Sequence, residues 1–262
     1  MKNNWNTAIV ALFSIVAMSF IPVKQPLTIF LAGDSTMADK RVSAYPETGW
    51  GMPFKSFFDA TVTVINKAEN GRSTKTFIND HLWQYIVDNL HVGDYVLIQF
   101  GHNDEVPTKV QHTTESEFKQ NLILFIEQAR AKNAIPILIT PVTRRKFDSL
   151  NIVIDTHVRF GEIIRQTALE NNVPLIDLDK ESMALVQKFG PENSKLLFNY
   201  LDRGEHPNYP GGRVDDTHFS ELGARKIAEI VLADLRKISP ELDSRVVKGQ
   251  NIALSTEYSI HK

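Results

Sequence analysis

Three side chains in this sequence have the chemistry of a nucleophilic relay. Ser35 directly follows an apolar run, and a serine hydroxyl becomes a strong nucleophile when a neighbouring base takes its proton. His218 is the candidate base, because a neutral imidazole accepts a proton near neutral pH. Asp215, three residues earlier, can orient that ring from a turn that leads into a helix, and Asp216 competes for the same role. The alternative interpretation is structural, since serine and aspartate commonly cap helices.

Two further residues can stabilise the negative charge that develops when a nucleophile attacks a carbonyl group. Gly71 lets its backbone N–H approach a substrate oxygen closely, and the Asn103 amide is a strong neutral donor. The backbone N–H of Ser35 is a third donor, expected at a strand-to-helix junction where the helix N-terminus favours an anion. Taken singly, Gly71 and Asn103 are ordinary turn residues. Their combination with Ser35 and His218 favours acyl transfer through a serine nucleophile.

Other interpretations of the same segments remain open. Dispersed Asp and His residues, including His102 and Asp104 on either side of Asn103, can serve a metal-dependent phosphoesterase, although no closely spaced His pair accompanies them. Alternatively, His102 and Asp104 support the loop that carries Asn103. The sequence contains no G-x-S-x-G motif, which disfavours the nucleophile turn of the α/β-hydrolases.

The elements that must position these residues are short apolar runs alternating with amphipathic segments. The apolar runs predict five strands, at Leu27–Ala32, Val62–Asn66, Tyr95–Phe100, Ile135–Thr140 and Pro174–Leu178. Helical periodicity predicts three long helices, over 118–129 behind a Thr114-x-x-Glu117 capping box, over about Ile152–Glu170, and over Glu221–Ile238 with Ser220 as N-cap. This alternation is typical of an α/β doubly wound domain, in which ligands bind at the carboxyl ends of the strands.

Composition and charge exclude several classes of protein. The chain has 262 residues with 29 basic and 31 acidic side chains, a formal net charge of −2, which argues against electrostatic binding to nucleic acid or to a membrane surface. It has no cysteine, which excludes disulfides, thiolate-bound zinc and a cysteine nucleophile. We expect a single domain and a monomer, with neither a nucleic-acid partner nor a stable membrane partner.

The two ends of the chain differ from its centre. Ala8–Ile21 is an uncharged apolar run of 14 residues after Lys2, shorter than the roughly 20 residues of a membrane span and suited to a signal peptide over residues 1–21. An uncleaved anchor or a buried element is the alternative. We therefore expect export, periplasmic or extracellular, followed by a single domain over 24–240. Residues 241–262 are polar and are expected to form a loosely packed extension.

Four sequence blocks resemble those of the SGNH (GDSL-like) hydrolases. They are, in chain order, Gly33-Asp34-Ser35-Thr36, Gly71-Arg72-Ser73, Gly101-His102-Asn103-Asp104 and Asp215-x-x-His218. The resemblance implies a flavodoxin-like three-layer α/β/α sandwich with a central parallel five-stranded sheet. It implies Ser35 as nucleophile, His218 as base and Asp215 as its partner. It also implies an oxyanion hole built from Ser35, Gly71 and Asn103, with no cofactor and no metal.

A narrower resemblance is to the rhamnogalacturonan acetylesterases of carbohydrate esterase family 12. It rests on Thr36 in place of the commoner Leu and on the segments Pro46–Gly51, Thr140–Arg145 and Asp216–Phe219. These enzymes remove acetyl groups from galacturonate residues in pectin, so the resemblance implies an acetylated polysaccharide or oligosaccharide substrate. The open alternatives are an esterase, lipase or thioesterase for another acylated glycan or lipid, and a non-catalytic glycan-binding module.

Five residues are candidates for contact with such a substrate. Arg144 and Arg145 follow the fourth predicted strand and can pair with the carboxylates of a galacturonate chain, or can be solvated loop cations. His206 and Tyr209 lie in the Gly/Pro-rich loop Gly204–Arg213 and can offer an aromatic and polar surface to a sugar. Trp50 lies between two glycines, where it can line the site or seat the first helix.

Overall fold

Five parallel strands form one central sheet in the order β2-β1-β3-β4-β5. The computed structural model describes residues 24–248. The strands are β1 (Leu27–Gly33), β2 (Val62–Asn66), β3 (Tyr95–Gln99), β4 (Ile135–Ile139) and β5 (Leu175–Ile176). All five predicted strands are therefore confirmed, although β5 is reduced to two residues at an edge of the sheet.

The strand order reverses at the carboxyl edge of the sheet, where the sequence places the candidate catalytic residues. From β1 the chain forms β2 on one side and then returns to form β3 on the other, so β1 is paired with both. The register sets Gly33 beside Gln99 and Leu31 beside Asn66, which keeps the carboxyl ends of the three strands close together. In open parallel sheets, ligands bind outside the carboxyl ends at the point where the strand order reverses. That point lies between the loops that follow β1 and β3.

Helices cover both faces of the sheet and give the predicted three layers. They are α1 (Gly51–Phe54), α2 (Thr74–Asn79), α3 (Leu82–Asn89), α4 (Glu115–Ala131), α5 (Val158–Glu170), α6 (Leu178–Asn193), α7 (Glu221–Ile238) and α8 (Pro240–Asp243). Helices α2 to α5 pack on one face around Phe77, Phe118 and Phe125. Helices α1, α6 and α7 pack on the other face, around Phe54 and Val231.

The helix ends follow the local sequence where a cap is present. Thr114 and Glu117 form the predicted reciprocal capping box of α4, and the Ser220 hydroxyl accepts from the Gly223 backbone N–H at the start of α7. The predicted start at Ile152 is wrong, because α5 begins at Val158. Residue Val153 instead forms an isolated strand bridge with Phe147, so the preceding segment is extended.

Helix α6 has no counterpart among the predicted helices. It begins directly after β5, with Leu178 and Val186 buried on its inner side. The helix is interrupted at Gly190, which has a positive φ of 73°, and Pro191 then starts its last turn. This interruption places the Pro191 carbonyl beside the loop that follows β4.

The start of the predicted C-terminal extension is packed rather than loose. Leu242 in α8 is fully buried, Arg245 donates to the Gln25 carbonyl over 2.8 Å, and Val246 forms a bridge with Phe58. The expectation of a loose segment is therefore wrong for residues 241–248. Residues 249–262 and the predicted signal peptide at 1–21 lie outside the described residues. Between residues 24 and 248, no helix combines the length and the apolar character that crossing a membrane requires.

Candidate active site

Ser35, His218 and Asp215 form a continuous chain of hydrogen bonds at the carboxyl edge of the sheet. The Oγ atom of Ser35 lies 2.9 Å from Nε2 of His218, and Nδ1 of the same ring lies 2.9 Å from Oδ2 of Asp215. With Asp215 accepting from Nδ1–H, the ring tautomer leaves Nε2 free to take the serine proton. The three side chains therefore have the geometry needed to activate Ser35 as a nucleophile.

Asp215, and not its neighbour, orients the histidine. Its Oδ1 atom accepts from the backbone N–H groups of Thr217 and His218, both over 2.9 Å, and its Oδ2 atom accepts from Arg213 over 2.6 Å. Burial alone would raise the pKa of Asp215, but the hydrogen bonds and charge of His218 outweigh it and hold the pKa well below its usual range. Asp215 is therefore ionised wherever His218 can act as a base.

Asp216 belongs to a separate cluster. Its Oδ1 atom pairs with Arg145 over 3.0 Å and accepts from the Tyr200 hydroxyl. Arg145 also donates to Ser194 Oγ over 3.1 Å and to the carbonyl of Pro191. These contacts hold Arg145 against the last turn of α6.

Three residues that can donate to a substrate carbonyl oxygen line one cavity, namely Ser35, Gly71 and Asn103. Gly71 has a φ of 74°, a conformation that glycine adopts without strain, and its Cα side is open. Among the described residues, neither the Ser35 nor the Gly71 backbone N–H has a hydrogen-bond acceptor. Asn103 uses one Nδ2–H on the Arg72 carbonyl over 2.9 Å and keeps the second for a ligand. These donors have the arrangement of an oxyanion hole.

The expected helix directly after Ser35 is absent. The chain instead forms a tight turn in which Met37 and Ala38 donate to the Asp34 carbonyl over 3.2 and 3.0 Å. The expectation that a helix N-terminus would support the oxyanion is therefore wrong. Any stabilisation of the oxyanion therefore comes from individual N–H groups, such as those of Ser35 and Gly71, and not from a helix dipole.

Asp104 connects the loop that carries Asn103 with the segment that follows Gly71. Its Oδ1 atom accepts from the backbone N–H and the hydroxyl of Thr74, over 2.9 and 2.6 Å, and from the Thr113 hydroxyl over 3.1 Å. Burial raises the pKa of Asp104 to about 7, against the lowering effect of these hydrogen bonds. Asp104 thus supports the Asn103 loop, as one of the two sequence interpretations predicted.

Trp50 is a core residue and does not line the site. Its ring is fully buried and its Nε1–H donates to Gln99 Oε1 over 2.6 Å, so the prediction that it contacts substrate is wrong. Gln99 in turn donates to Thr36 Oγ1 over 2.8 Å, and that hydroxyl donates to Asp34 Oδ1 over 2.8 Å. This buried chain holds the turn that carries Ser35.

The cavity over Ser35 has a volume of about 420 Å³. Its lining comprises the reacting residues and several charged or polar neighbours, namely Ser35, Glu47, Asn70, Gly71, His102, Asn103, Lys109, Arg144, Thr217 and His218. Glu47 forms an ion pair of 2.8 Å with Lys40, which also donates to Asn70 Oδ1 over 2.7 Å. Lys109 donates to Asn103 Oδ1 over 3.1 Å.

The predicted substrate-binding residues separate into one that reaches the cavity and four that do not. Arg144 lines the cavity and is held by Glu105 over 2.7 Å. Arg145 is held at α6, and Trp50 is in the core. Tyr209 donates to the Ala44 carbonyl over 2.8 Å and His206 packs on Tyr45, so the Gly204–Arg213 loop is fastened to the neighbouring turn. Burial excludes substrate contact for Trp50, whereas Arg145, His206 and Tyr209 lie outside the cavity over Ser35 and their contact with substrate stays a prediction.

His102 is a neutral wall of the cavity. Its ring is 4% exposed and packs edge-on against His157 with ring centres 4.4 Å apart. Burial lowers the pKa of His102 well below its usual range, and the charges of His157 and Arg144 lower it further. His102 therefore stays uncharged beside Asn103 and does not compete with His218 for the serine proton.

One group of potential metal ligands occurs among the described side chains. Glu47, Asp215 and His218 each place a ligand atom within 4.8 Å of the others. Both ring nitrogens of His218 are already engaged by Ser35 and Asp215, and Glu47 is paired with Lys40. These side chains therefore fit the hydrogen-bonded relay better than a metal centre.

A five-stranded parallel sheet with serine, glycine, asparagine and histidine gathered at its carboxyl edge is the architecture of an SGNH hydrolase. The chain belongs to the GDSL-like Lipase/Acylhydrolase family, whose model matches residues 31–226. It is a carboxylic ester hydrolase, as the sequence predicts.

Similar proteins match most of this chain and agree with the family assignment. Rhamnogalacturonan acetylesterase RhgT of Bacillus subtilis (strain 168) is 40% identical over 87% of this chain and 97% of its own length. The crystal structure of the Bacillus subtilis protein YxiM matches with a TM-score of 0.70 and 30% identity, over 82% of this chain and 57% of that one. Axe2, an acetylxylan esterase from Geobacillus stearothermophilus, has the same fold, with a TM-score of 0.56 and 18% identity over 80% of this chain and 94% of its own.

Several site residues escaped the sequence analysis. Lys109 lies in a polar loop with no pattern that distinguishes it from other surface lysines. Arg213 precedes Asp215 by two residues but gives no local signal of its role. Gln99 did carry a signal, because a polar side chain inside the apolar run of β3 must find buried partners.

Proposed function

We propose that this protein is a serine acetylesterase that removes O-acetyl groups from rhamnogalacturonan, the acetylated backbone polysaccharide of pectin. The observation that carries the proposal is the hydrogen-bonded series Ser35–His218–Asp215 beside three oxyanion donors. The alternative chemistry, a metal-dependent phosphoesterase, would need ligand atoms that this series already uses.

The first half-reaction transfers the acetyl group to the enzyme. Ser35 Oγ attacks the acetyl carbonyl carbon while His218 Nε2 takes its proton, and Asp215 stabilises the resulting imidazolium. The carbonyl oxygen becomes an oxyanion that accepts from the N–H groups of Ser35 and Gly71 and from Asn103 Nδ2. The bond to the sugar oxygen then breaks, and His218 returns the proton to that oxygen. An acetyl-Ser35 ester and a free sugar hydroxyl result.

The second half-reaction restores the enzyme. His218 takes a proton from a water molecule, whose oxygen attacks the carbonyl carbon of acetyl-Ser35. The same three donors stabilise the second tetrahedral intermediate. Its breakdown releases acetic acid, which ionises to acetate in solution, and the proton on His218 passes to Ser35 Oγ. The sequence of steps uses no group beyond the side chains, the backbone and water.

The choice of substrate rests on the relatives and on the charge of the cavity. RhgT, which matches this chain over 97% of its own length, is a rhamnogalacturonan acetylesterase by name. Arg144 presents a guanidinium group to the cavity, held by Glu105, and an arginine can pair bidentately with the carboxylate of a galacturonate ring. Lys109 adds a second positive charge at the same cavity.

The direct test compares acetate release from acetylated rhamnogalacturonan, acetylated xylan and p-nitrophenyl acetate, each with and without EDTA. The proposal expects kcat/KM to be highest for the pectic substrate, and expects EDTA to have no effect. An Arg144→Met variant should lose about tenfold or more on the pectic substrate and little on p-nitrophenyl acetate. A preference for xylan, or equal loss on every ester, would overturn the substrate assignment while leaving the serine mechanism in place.

We also propose that the enzyme is exported, because the apolar, uncharged run Ala8–Ile21 suits a signal peptide and a polysaccharide substrate lies outside the cell. Mass analysis of the protein secreted by its native host tests this. A mature chain beginning near residue 22 is expected. Retention of residues 1–21, or recovery only from the cytoplasm, would contradict the proposal.

A further inference from the structure

A second cavity adjoins the one that holds Ser35. It has a volume of about 700 Å³ and lies between the loop after β3 and the start of α5. Arg144 lines both cavities, so they share a wall. None of the reacting side chains lines the second cavity, and the two half-reactions described above do not use it.

A third cavity adjoins the second one. It has a volume of about 310 Å³ and lies between α4 and α5. Glu115, Val158 and Arg159 line both the second and the third cavity. Val158 is 59% exposed, so the two cavities open to solvent at the surface of α5. Shared lining residues thus place the three cavities in series, from Ser35 past Arg144 to the surface of α5. We call the second and third cavities together the α5 groove.

The lining of the second cavity has more acidic than basic side chains. Arg144 is paired with Glu105 over 2.7 Å, and Arg159 with Glu115 over 2.8 Å. Asp155 adds a third carboxylate to this lining, whereas the lining of the cavity over Ser35 has Lys109 and Arg144 with the single carboxylate of Glu47. The second cavity therefore disfavours a substrate carboxylate, and hydroxyl groups can both donate and accept there.

The second cavity also has an apolar wall. Val106 and Pro107 contribute from the loop, and Val158 and Phe160 from α5. A sugar ring presents apolar C–H faces together with hydroxyls at its rim, and ligand sites of this size combine apolar walls with a few polar groups. An uncharged sugar fits this lining better than a uronate does.

We propose that the α5 groove binds the sugar units next to the acetylated one, with an uncharged sugar in the second cavity and the chain continuing over α5. The inference rests on the proposed function, because it assumes that the scissile acetyl group is carried by a polymer. The occupant follows from the position of the groove, because the second cavity adjoins the cavity over Ser35. A polysaccharide with one sugar unit at Ser35 extends over the neighbouring surface, where its next units can bind.

The test measures how kcat/KM depends on chain length. Wild-type enzyme is assayed on acetylated galacturonic acid, on acetylated rhamnogalacturonan oligosaccharides of increasing length, and on p-nitrophenyl acetate. Occupation of the groove predicts that kcat/KM rises with length, mainly through a lower KM. A value independent of length would overturn the proposal.

Two substitutions place a charged, longer side chain in the groove. Val158→Glu acts from α5, where an acidic residue in the first turn is well tolerated, and Pro107→Glu acts from the opposite wall. Each should lower kcat/KM on the longer oligosaccharides by about tenfold and leave the small ester nearly unchanged. Leu169→Glu is the matched control, because it adds the same charge to the same helix at an exposed position outside the three cavities.

The outcomes separate the groove from the substrate assignment. If Val158→Glu and Pro107→Glu behave like Leu169→Glu on every length, the groove does not bind substrate. The same series is repeated with acetylated xylo-oligosaccharides. Activity and chain-length dependence on these alone, lost in the two groove variants, would support the groove and overturn the pectic function.

Discussion

The Lys109 ammonium group donates a hydrogen bond to the Oδ1 atom of Asn103 over 3.1 Å, and Asn103 donates from Nδ2 to the Arg72 carbonyl over 2.9 Å. The amide is therefore held from both ends, with one N–H left for a ligand. A cation on Oδ1 polarises the amide and makes that remaining N–H a stronger donor. Lys109 is thus a positioning residue for the oxyanion hole.

Removing this contact should slow the chemical step on a small uncharged ester without weakening the binding of that ester. We expect Lys109→Met to lower kcat on p-nitrophenyl acetate by about tenfold with little change in KM, against about 10²–10³-fold for Asn103→Ala. Lys109→Arg keeps a donor and should recover most of the rate. A Lys109→Met enzyme with wild-type kcat, or an arginine variant as slow as the methionine one, would show that the contact has no catalytic effect.

The two adjacent aspartates should differ sharply when each is made neutral. Asp215→Asn removes the carboxylate that fixes the His218 tautomer, and the loss in kcat expected from the general Ser-His-Asp template is about 10⁴-fold. Asp216→Asn affects only the Arg145 and Tyr200 cluster and should stay within a few fold of wild type. Steady-state kinetics on the same ester compares them. Equal losses would contradict the assignment of Asp215.

The buried chain from Trp50 through Gln99 to Thr36 should contribute to stability as a unit. Gln99→Leu leaves the Trp50 Nε1–H without an acceptor and removes the donor to the Thr36 hydroxyl, which keeps its bond to Asp34. We expect a cost of about 1–3 kcal/mol in the free energy of unfolding. In a Trp50→Phe background the orphaned N–H group is gone, so the same substitution should cost less. Urea unfolding of the four proteins measures the coupling. Strictly additive costs would argue against it.

Asp104 should make the stability of the fold depend on pH. Its pKa is about 7 in the folded protein and 3.8 as an unperturbed carboxyl, so between these values the folded state holds the proton that the unfolded state has lost. Stability contributed by this group is fully present below about pH 4 and is lost as the pH rises towards 7.

Asp104→Asn removes that titration while keeping the oxygen that accepts from Thr74 and Thr113. The free energy of unfolding of the variant, relative to wild type, should therefore increase with pH by up to about 1.4 kcal/mol per unit between pH 4 and 7. Denaturant unfolding across that range provides the measurement. A constant difference, or one that shrinks with rising pH, would contradict the raised pKa.

The sequence predicts most of the sheet and the reacting residues because both depend on local patterns. Buried parallel strands appear in the sequence as apolar runs. The loop that follows each run must lie at the carboxyl edge of the sheet, and Ser35, Gly71 and Asn103 are found in three of these loops. The two arginines after β4 illustrate where this reasoning stops. Arg144 and Arg145 are neighbours, yet one faces the cavity and the other is held by the interrupted end of α6.

What could not be predicted depends on contacts between distant segments. The start of α5 is displaced because Val153 pairs with Phe147, and the packing of residues 240–248 depends on Phe58 and Gln25, more than 180 positions away in the chain. Trp50 between two glycines gave no sign of its buried partner Gln99. Such pairings become visible only when the fold brings the segments together.

Replacing the nucleophile itself, Ser35→Ala, separates a serine mechanism from a metal-dependent one. The alanine variant is compared with wild type for acetate release from acetylated rhamnogalacturonan, with and without EDTA, after circular dichroism has confirmed that both are folded. We expect a loss of at least about 10⁴-fold in kcat for Ser35→Ala and no effect of EDTA on wild type. Activity that survives the substitution and disappears with EDTA would contradict the serine mechanism and favour a metal centre.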